Sequence, residues 1–243
     1  KGYPKVAKVI FKMLPDSNSR IAALKTGEVN IITRLTAEEA DTLRSEPNLK
    51  VVEYANNRIF YVAFGNLCPT CKDTPILKPE VRLAMNYAVD RQTIIDSLFA
   101  GKGLVPPGYL TSGDMGYDPS FTPYPYDVEK AKQMLSAAGY PDGFEIDMAC
   151  PDQGYSHINE VCQAVQGYLE AVGIKTNVEC METGKYWDLE GKQGLPPLFV
   201  DSWSSNGNPM GRINGAMGKT GAYKSWNEDA IQKLIDGINA TGD

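Results

Sequence analysis

The chain has 243 residues, enough for one large core or two small ones, and a formal net charge of −6 at pH 7. Its Lys and Arg are scattered rather than run together, which argues against nucleic acid as a partner, because that affinity rests on clustered basic side chains. No stretch approaches the ~18 apolar residues of a membrane-spanning helix, and Lys1-Gly-Tyr-Pro4 carries no hydrophobic signal region, so either a signal has been removed or the sequence is an internal piece of a longer protein.

Residues 5–14 alternate apolar and basic side chains and are expected as a strand. Pro15-Asp-Ser-Asn-Ser19 reads as a turn and helix start, residues 20–26 as a short helix, and Gly27 as the left-handed residue that ends it. Residues 29–32 are expected as a buried strand. Thr36 and Glu39 have the spacing of a capping box, whose helix stops before Pro47. Residues 49–54 and 59–64 read as strands separated by a turn at Asn56-Asn57. Pro79 suits a first helical turn, where its missing N–H costs nothing. Val81, Ala84, Met85, Ala88 and Val89 then form an apolar stripe. Asp90-Arg-Gln-Thr93 interrupts that stripe, so two helices at an angle are expected, the second ending at Gly101. Residues 105–125 are rich in proline, glycine and aromatic residues and read as a long loop packed over the surface. Asp127 is placed to cap a helix that Gly139 ends. Residues 144–149, 159–172 and 174–181 follow as strand, helix and strand, a βαβ unit. Residues 198–202 read as a short buried strand and 227–238 as a closing helix. The alternation gives an α/β class.

Three pieces of this chain together resemble a known family. They are Lys78-Pro-Glu-Val-Arg-Leu-Ala-Met-Asn-Tyr-Ala-Val-Asp-Arg91 with the helix that follows it, Tyr126-Asp-Val-Glu-Lys-Ala-Lys-Gln-Met-Leu-Ser-Ala-Ala-Gly139, and Trp203 within Val200-Asp-Ser-Trp-Ser-Ser-Asn-Gly-Asn208. In order and spacing they resemble the extracytoplasmic solute-binding proteins of peptide-type ABC importers (family 5, the dipeptide, oligopeptide and nickel binders). The resemblance implies a periplasmic-binding-protein-like α/β lobe of type II, cluster C-like, with a mixed sheet flanked by helices. It places residues 1–55 with the first lobe or its link and residues 56–243 in the second, ligand-binding lobe, with further segments expected on both sides. The implied protein captures an oligopeptide or oligosaccharide in an interlobe cleft, closes by a hinge and delivers the solute to a membrane permease. It would be periplasmic or cell-surface, a lipoprotein anchored to the membrane in full-length form. No catalysis, cofactor, metal or nucleic acid is implied. Half a cleft would bind its ligand weakly or not at all.

Trp203, at a strand end, can offer a flat apolar face to a solute, with Ser204, Ser205 and Asn206 beside it for orientation. In dipeptide binders a carboxylate three residues beyond this tryptophan meets the peptide's amino terminus; that position here is Asn206. Those binders also hold the peptide carboxylate with an arginine in the loop after the strand resembling residues 144–149. The loop here, Cys150-Pro-Asp-Gln-Gly-Tyr-Ser-His157, has none. A zwitterionic dipeptide would leave two charges poorly paired in a dry cleft. A short oligosaccharide is therefore favoured by a small margin over an oligopeptide held by its backbone. Gln153, Tyr155 and His157 are placed near the ligand by position in that loop. Arg82, Asp90 and Arg91 are assigned structural roles.

Cys68-Pro-Thr-Cys71 is followed by a loop rather than a helix, unlike a redox motif, and the chain lacks the second ligand pair of a zinc site. In an exported protein the pair reads as a small disulfide ring. Cys150 and Cys180 each end an expected strand and are candidates for a second pair, and an odd cysteine is left as a buried thiol. Two rival readings are a sensor built on the same fold and a hydrolase. Gly154-Tyr-Ser-His-Ile158 lacks the second glycine of a nucleophile elbow, and Met217-Gly-Lys-Thr220 lacks the preceding strand of a phosphate loop.

Overall fold

Residues 2–54, 56–205 and 208–241 are described by the computed structural model. They divide into two units, Lys1–Glu53 and Tyr54–Asp243.

In the first unit, α1 (Ser17–Lys25) starts on Asp16, whose carboxylate accepts the Ser19 N–H, three residues earlier than the expected helix. Helix α2 (Ala37–Arg44) starts on the capping box of Thr36 and Glu39, with both reciprocal bonds made. Ala23, Ala40 and Leu43 are buried. The strands expected at residues 5–14, 29–32 and 49–54 do not form among the described residues. The Val29 N–H instead bonds the Ala23 carbonyl at the end of α1, while Val6, Val9, Ile10, Phe11 and Met13 lie exposed. Alternation supplies the side-chain half of a strand; the backbone half needs a partner ladder.

In the second unit, β1 (Arg58–Phe64), β2 (Phe144–Pro151), β3 (Ile174–Met181) and β4 (Leu198–Ser204) form one sheet in the order β1-β4-β2-β3. β1 is antiparallel to β4, and β2 is parallel to both its neighbours, so the sheet is mixed. Strand alternation sends Ile146, Met148, Leu198 and Val200 to one face. There they join Val81, Ala84 and Ala88 of α3 (Pro79–Ala88), Ala131 and Leu135 of α5 (Val128–Ala137), and Val161, Val165 and Leu169 of α6 (Ile158–Glu170). Ala149 and Phe199 point to the other face, onto Met181 and onto Tyr186 of α7 (Thr183–Gly191).

The helix starts follow local chemistry. Asp90 ends the α3 run and accepts the Thr93 N–H at 3.0 Å to open α4 (Arg91–Leu98). Asp127 accepts the Lys130 N–H at 2.9 Å to open α5. Arg82 donates to the Ile76 carbonyl and stacks its guanidinium 4.5 Å from the Trp226 ring. Two helices have no counterpart among the expected elements. α7 is capped by Glu182, which accepts from Gly184 and Lys185 in place of the usual short polar cap. α8 (Met210–Met217) contains two glycines, Gly211 and Gly215, that weaken its helical signature. The chain closes in α9 (Asp229–Thr241). Among the described residues no helix is long and apolar enough to cross a membrane.

The 105–125 loop is tied down. The Tyr109 ring meets Tyr61 edge-on at 5.8 Å, and Asp114 is buried. Cys68 pairs with Cys71, Cys150 pairs with Cys180, and Cys162 is a buried thiol. At the opposite end of β2 and β3, Gly143 and Gly173 both adopt positive φ, and a Cβ on Gly143 would run into the Gly173 carbonyl.

Candidate functional site

From β2 the chain passes through α6 to β3 on one side, then returns through α7 to β4 on the other side of β2. The β2–β4 boundary is therefore a topological switch point, and the crevice beyond the carboxyl ends of such strands is where open α/β sheets take ligands. The two strands pair only at Met148↔Leu198 and Ala149↔Phe199, while both continue past those positions, so they separate toward the same end. The loop after β2 carries Gln153, Tyr155 and His157, and the turn after β4 carries Ser205. β1 runs antiparallel, so its first residue, Arg58, arrives at that end opposite Ser204.

Arg58 and Tyr155 form the centre of this rim. The Arg58 guanidinium donates from Nη1 to the Ser202 carbonyl at 2.9 Å and from Nη2 to Ser204 Oγ at 3.4 Å, and it lies 5.0 Å from the centre of the Tyr155 ring. Both residues are partly buried. Tyr155 also packs edge-on against Phe60 at 6.0 Å. Burial, then the nearby Asp201 charge, push its pKa up to about 12. Asp201 in turn meets Glu190 of α7. Both carboxyls are buried, at 5% and 6% exposure, and desolvation followed by their mutual charge raises Glu190 above the ordinary carboxylate range. Burial likewise raises Asp201. Burial and like charge at close range both favour the protonated form in such a pair. A series of close contacts thus runs from the partly buried Arg58 through Tyr155 to the buried carboxyls of Asp201 and Glu190.

Trp203 and Ser204 do not share a surface. The strand runs on to Ser204, two residues beyond the expected end at Ser202, and alternation turns the two side chains to opposite faces. Ser204 joins Arg58. The Trp203 indole packs on α8, where a Cβ on Gly215 would stand 2.5 Å from its Cη2, and meets Tyr223 edge-on at 5.6 Å. Ser205 is buried behind the rim. It accepts from Asn57 Nδ2 at 2.6 Å and donates to Asp114, whose other oxygen pairs with Arg212 Nη2 at 3.2 Å. Both side chains of that ion pair are fully buried. Arg212 also holds the Tyr109 carbonyl and stacks on the Tyr109 ring at 4.5 Å. This network fixes the 105–125 loop to the end of β4. Asn206 lies outside the described residues.

In the loop after β2, Asp152 accepts the Thr183 N–H and hydroxyl at 3.1 and 2.9 Å, tying the loop to the start of α7. Gln153 projects into solvent. His157 opens α6 in the left-handed region (φ 58°), with its ring edge-on to Phe99 at 5.6 Å and its Nδ1 3.8 Å from Glu160. Lys219, at the phosphate-loop likeness, follows α8 rather than a strand and pairs with Asp229 at 2.6 Å. The structure therefore gathers Tyr155 and Ser204, joined by Arg58, turns Trp203 to another face and buries Ser205 in the Asp114 network. Arg58 was not expected at the site, since it stands at a turn and its partners are 144 and 146 residues away in sequence. Asp201 had a signal, a carboxylate inside the apolar run Leu198-Phe-Val-Asp201.

Residues 1–224 match the family model of the bacterial extracellular solute-binding proteins, family 5 Middle. The glutathione-binding protein GsiB of Escherichia coli (strain K12) is 30% identical over 234 residues, which cover 93% of this chain and 43% of that protein. GsiB of Salmonella typhi gives 30% over 235 residues with the same coverage. The chain thus spans less than half the length of these relatives. Among solved structures, the periplasmic binding protein DppA from Helicobacter pylori, in complex with the peptide STSA, superposes with a TM-score of 0.80 at 23% identity, covering 96% of this chain and 45% of that one. AgaA from A. tumefaciens R10, in complex with agropinic acid, gives a TM-score of 0.77 at 28% identity, covering 95% and 47%. The fold is that of the periplasmic binding proteins.

Proposed function

The chain belongs to the bacterial extracellular solute-binding proteins of family 5, the solute binders of ABC transporters, and from that premise we propose that it captures a small peptide-like solute bearing a carboxylate. The observation that carries this reading is the Arg58–Tyr155–Ser204 rim at the sheet's switch point: a partly buried guanidinium flanked by an aromatic face and a hydroxyl. A guanidinium in such a place favours a carboxylate by a charge-assisted, often two-pronged hydrogen bond. It supplies, from β1, the cation that the loop after β2 lacks. Relatives fit this chemistry, since the names of two of them give glutathione and agropinic acid as ligands. Trp203, engaged by Gly215 and Tyr223, is less free to stack on a sugar ring than its sequence position suggests.

In this reading the Tyr54–Asp243 unit forms one wall of a ligand cleft, with Gln153 and His157 at its border. Residues 1–53 belong with another lobe, whose remaining chain covers the exposed Val6, Val9, Ile10 and Phe11. The full protein acts outside the cytoplasmic membrane and hands its solute to a permease. The test is calorimetric titration of the full-length protein with glutathione, the tetrapeptide Ser-Thr-Ser-Ala and maltotriose, each against wild type and Arg58→Gln. Binding of either peptide, weakened about tenfold or more by Arg58→Gln, is expected from the usual worth of a charged hydrogen bond. Binding of maltotriose alone would return the site to the oligosaccharide reading.

A further inference from the structure

Three sulfur atoms meet at the base of the rim. Cys150 lies near the end of β2, Cys180 stands directly opposite it on β3, and Cys162 projects from α6 beneath them. The three Sγ atoms all lie within 4.8 Å of one another. Cys150 and Cys180 are bonded, with their Cα atoms 4.6 Å apart, and Cys162 is a thiol at 0% exposure. A thiolate next to a disulfide exchanges with it without any outside oxidant, because the attack that forms one S–S bond breaks the other. Burial decides the direction. Attack on Cys150 expels Cys180, which is exposed on the edge strand, so its thiolate is solvated as it forms. Attack on Cys180 would expel Cys150, which is buried in the main core, and strand a charge there. Burial also pushes the Cys162 thiol up to about 12, which makes the step slow rather than forbidden.

We propose that these residues form an internal thiol–disulfide exchange site that can turn Cys180 into an exposed, modifiable thiol. The Cys162 sulfur attacks Cys150, the Cys150–Cys162 bond forms as Cys150–Cys180 breaks, and the proton lost by Cys162 is regained from solvent by Cys180. The number of thiols and disulfides is unchanged. The product moves the tie at the base of the ligand loop from strand–strand to strand–helix, and its free Cys180 forms mixed disulfides with small-molecule disulfides.

The test is to incubate the unreduced full-length protein, under native conditions, with a maleimide and to map label and linked peptides by mass spectrometry without reduction. Label accumulating on Cys180, in step with a Cys150–Cys162 linked peptide, is the expected result. Label confined to Cys162, or no label until denaturant is added with Cys150–Cys180 as the sole linked pair, would overturn the proposal. A Cys180→Ala variant checks the geometry independently: it should oxidise to a Cys150–Cys162 disulfide while retaining native circular dichroism, and persistence of two free thiols after oxidation would count equally against it.

Discussion

The two units of this chain use similar apolar patterning and reach opposite outcomes. In Tyr54–Asp243, alternation in β2 and β4 places Met148 and Val200 in a core where both are essentially unexposed. In Lys1–Glu53, the alternation of residues 5–14 leaves Phe11 at 89% exposure and Met13 at 87%. The difference lies in partners. β4 has a ladder on both sides and helices on its faces, whereas residues 5–14 have neither among the described residues. The helices of the first unit survive because their capping is local: a capping box needs only its own four residues.

The comparison can be broken most sharply at ion pairs. Arg212→Ala leaves the buried Asp114 charge without its counter-ion, held by hydrogen bonds from Ser205 and Thr111, and should cost about 3–5 kcal/mol of stability in denaturant unfolding. Lys25→Ala removes a pair in the first unit that is about two-fifths exposed at both ends, and should cost no more than about 1 kcal/mol. Equal costs would mean that burial does not separate the units.

The acid pair gives a pH signature to the second unit alone. Folding raises the pKa of Glu190 above its ordinary 4.5, so the folded state keeps a proton that the unfolded state releases. The stabilisation is complete below that ordinary value and is lost as pH rises through the raised one, at up to about 1.4 kcal/mol per pH unit for one proton. Glu190→Gln holds the neutral form and should flatten this slope; an unchanged slope would place the titration elsewhere.

Smaller effects sharpen the boundary. Gly215→Ala drives a methyl group against the Trp203 indole and should cost about 1–3 kcal/mol, with a shift in tryptophan emission. Thr36→Ala removes the cap of α2 and should cost about 1 kcal/mol, with lost amide protection confined to residues 37–44. Protection lost in the β-sheet instead would show the units to be one cooperative body.

Elements with local punctuation were legible in the sequence. β3 spans the expected residues 174–181, bounded by Gly173 before it, and the caps at Thr36, Asp90 and Asp127 stand where short polar side chains precede apolar stripes. α7 escaped because Glu182 is an unusual cap, and α8 because its glycines mimic a loop. At the candidate site, Tyr155 was placed by its position in the loop after β2 and Ser204 by its place beside Trp203 at the end of β4. Arg58 was not, because its place depends on the β1–β4 register, a pairing across nearly 150 positions that no local signal encodes. The opposed directions of Trp203 and Ser204 followed from a strand two residues longer than its apolar run.

The most direct test of the central claim is to purify the full-length protein without refolding and identify by mass spectrometry the small molecule released on denaturation. Peptides or carboxylate-bearing amino-acid derivatives from wild type, and their loss from Arg58→Gln, are the predicted result. A series of masses spaced by hexose or pentose units, retained in Arg58→Gln, would contradict it.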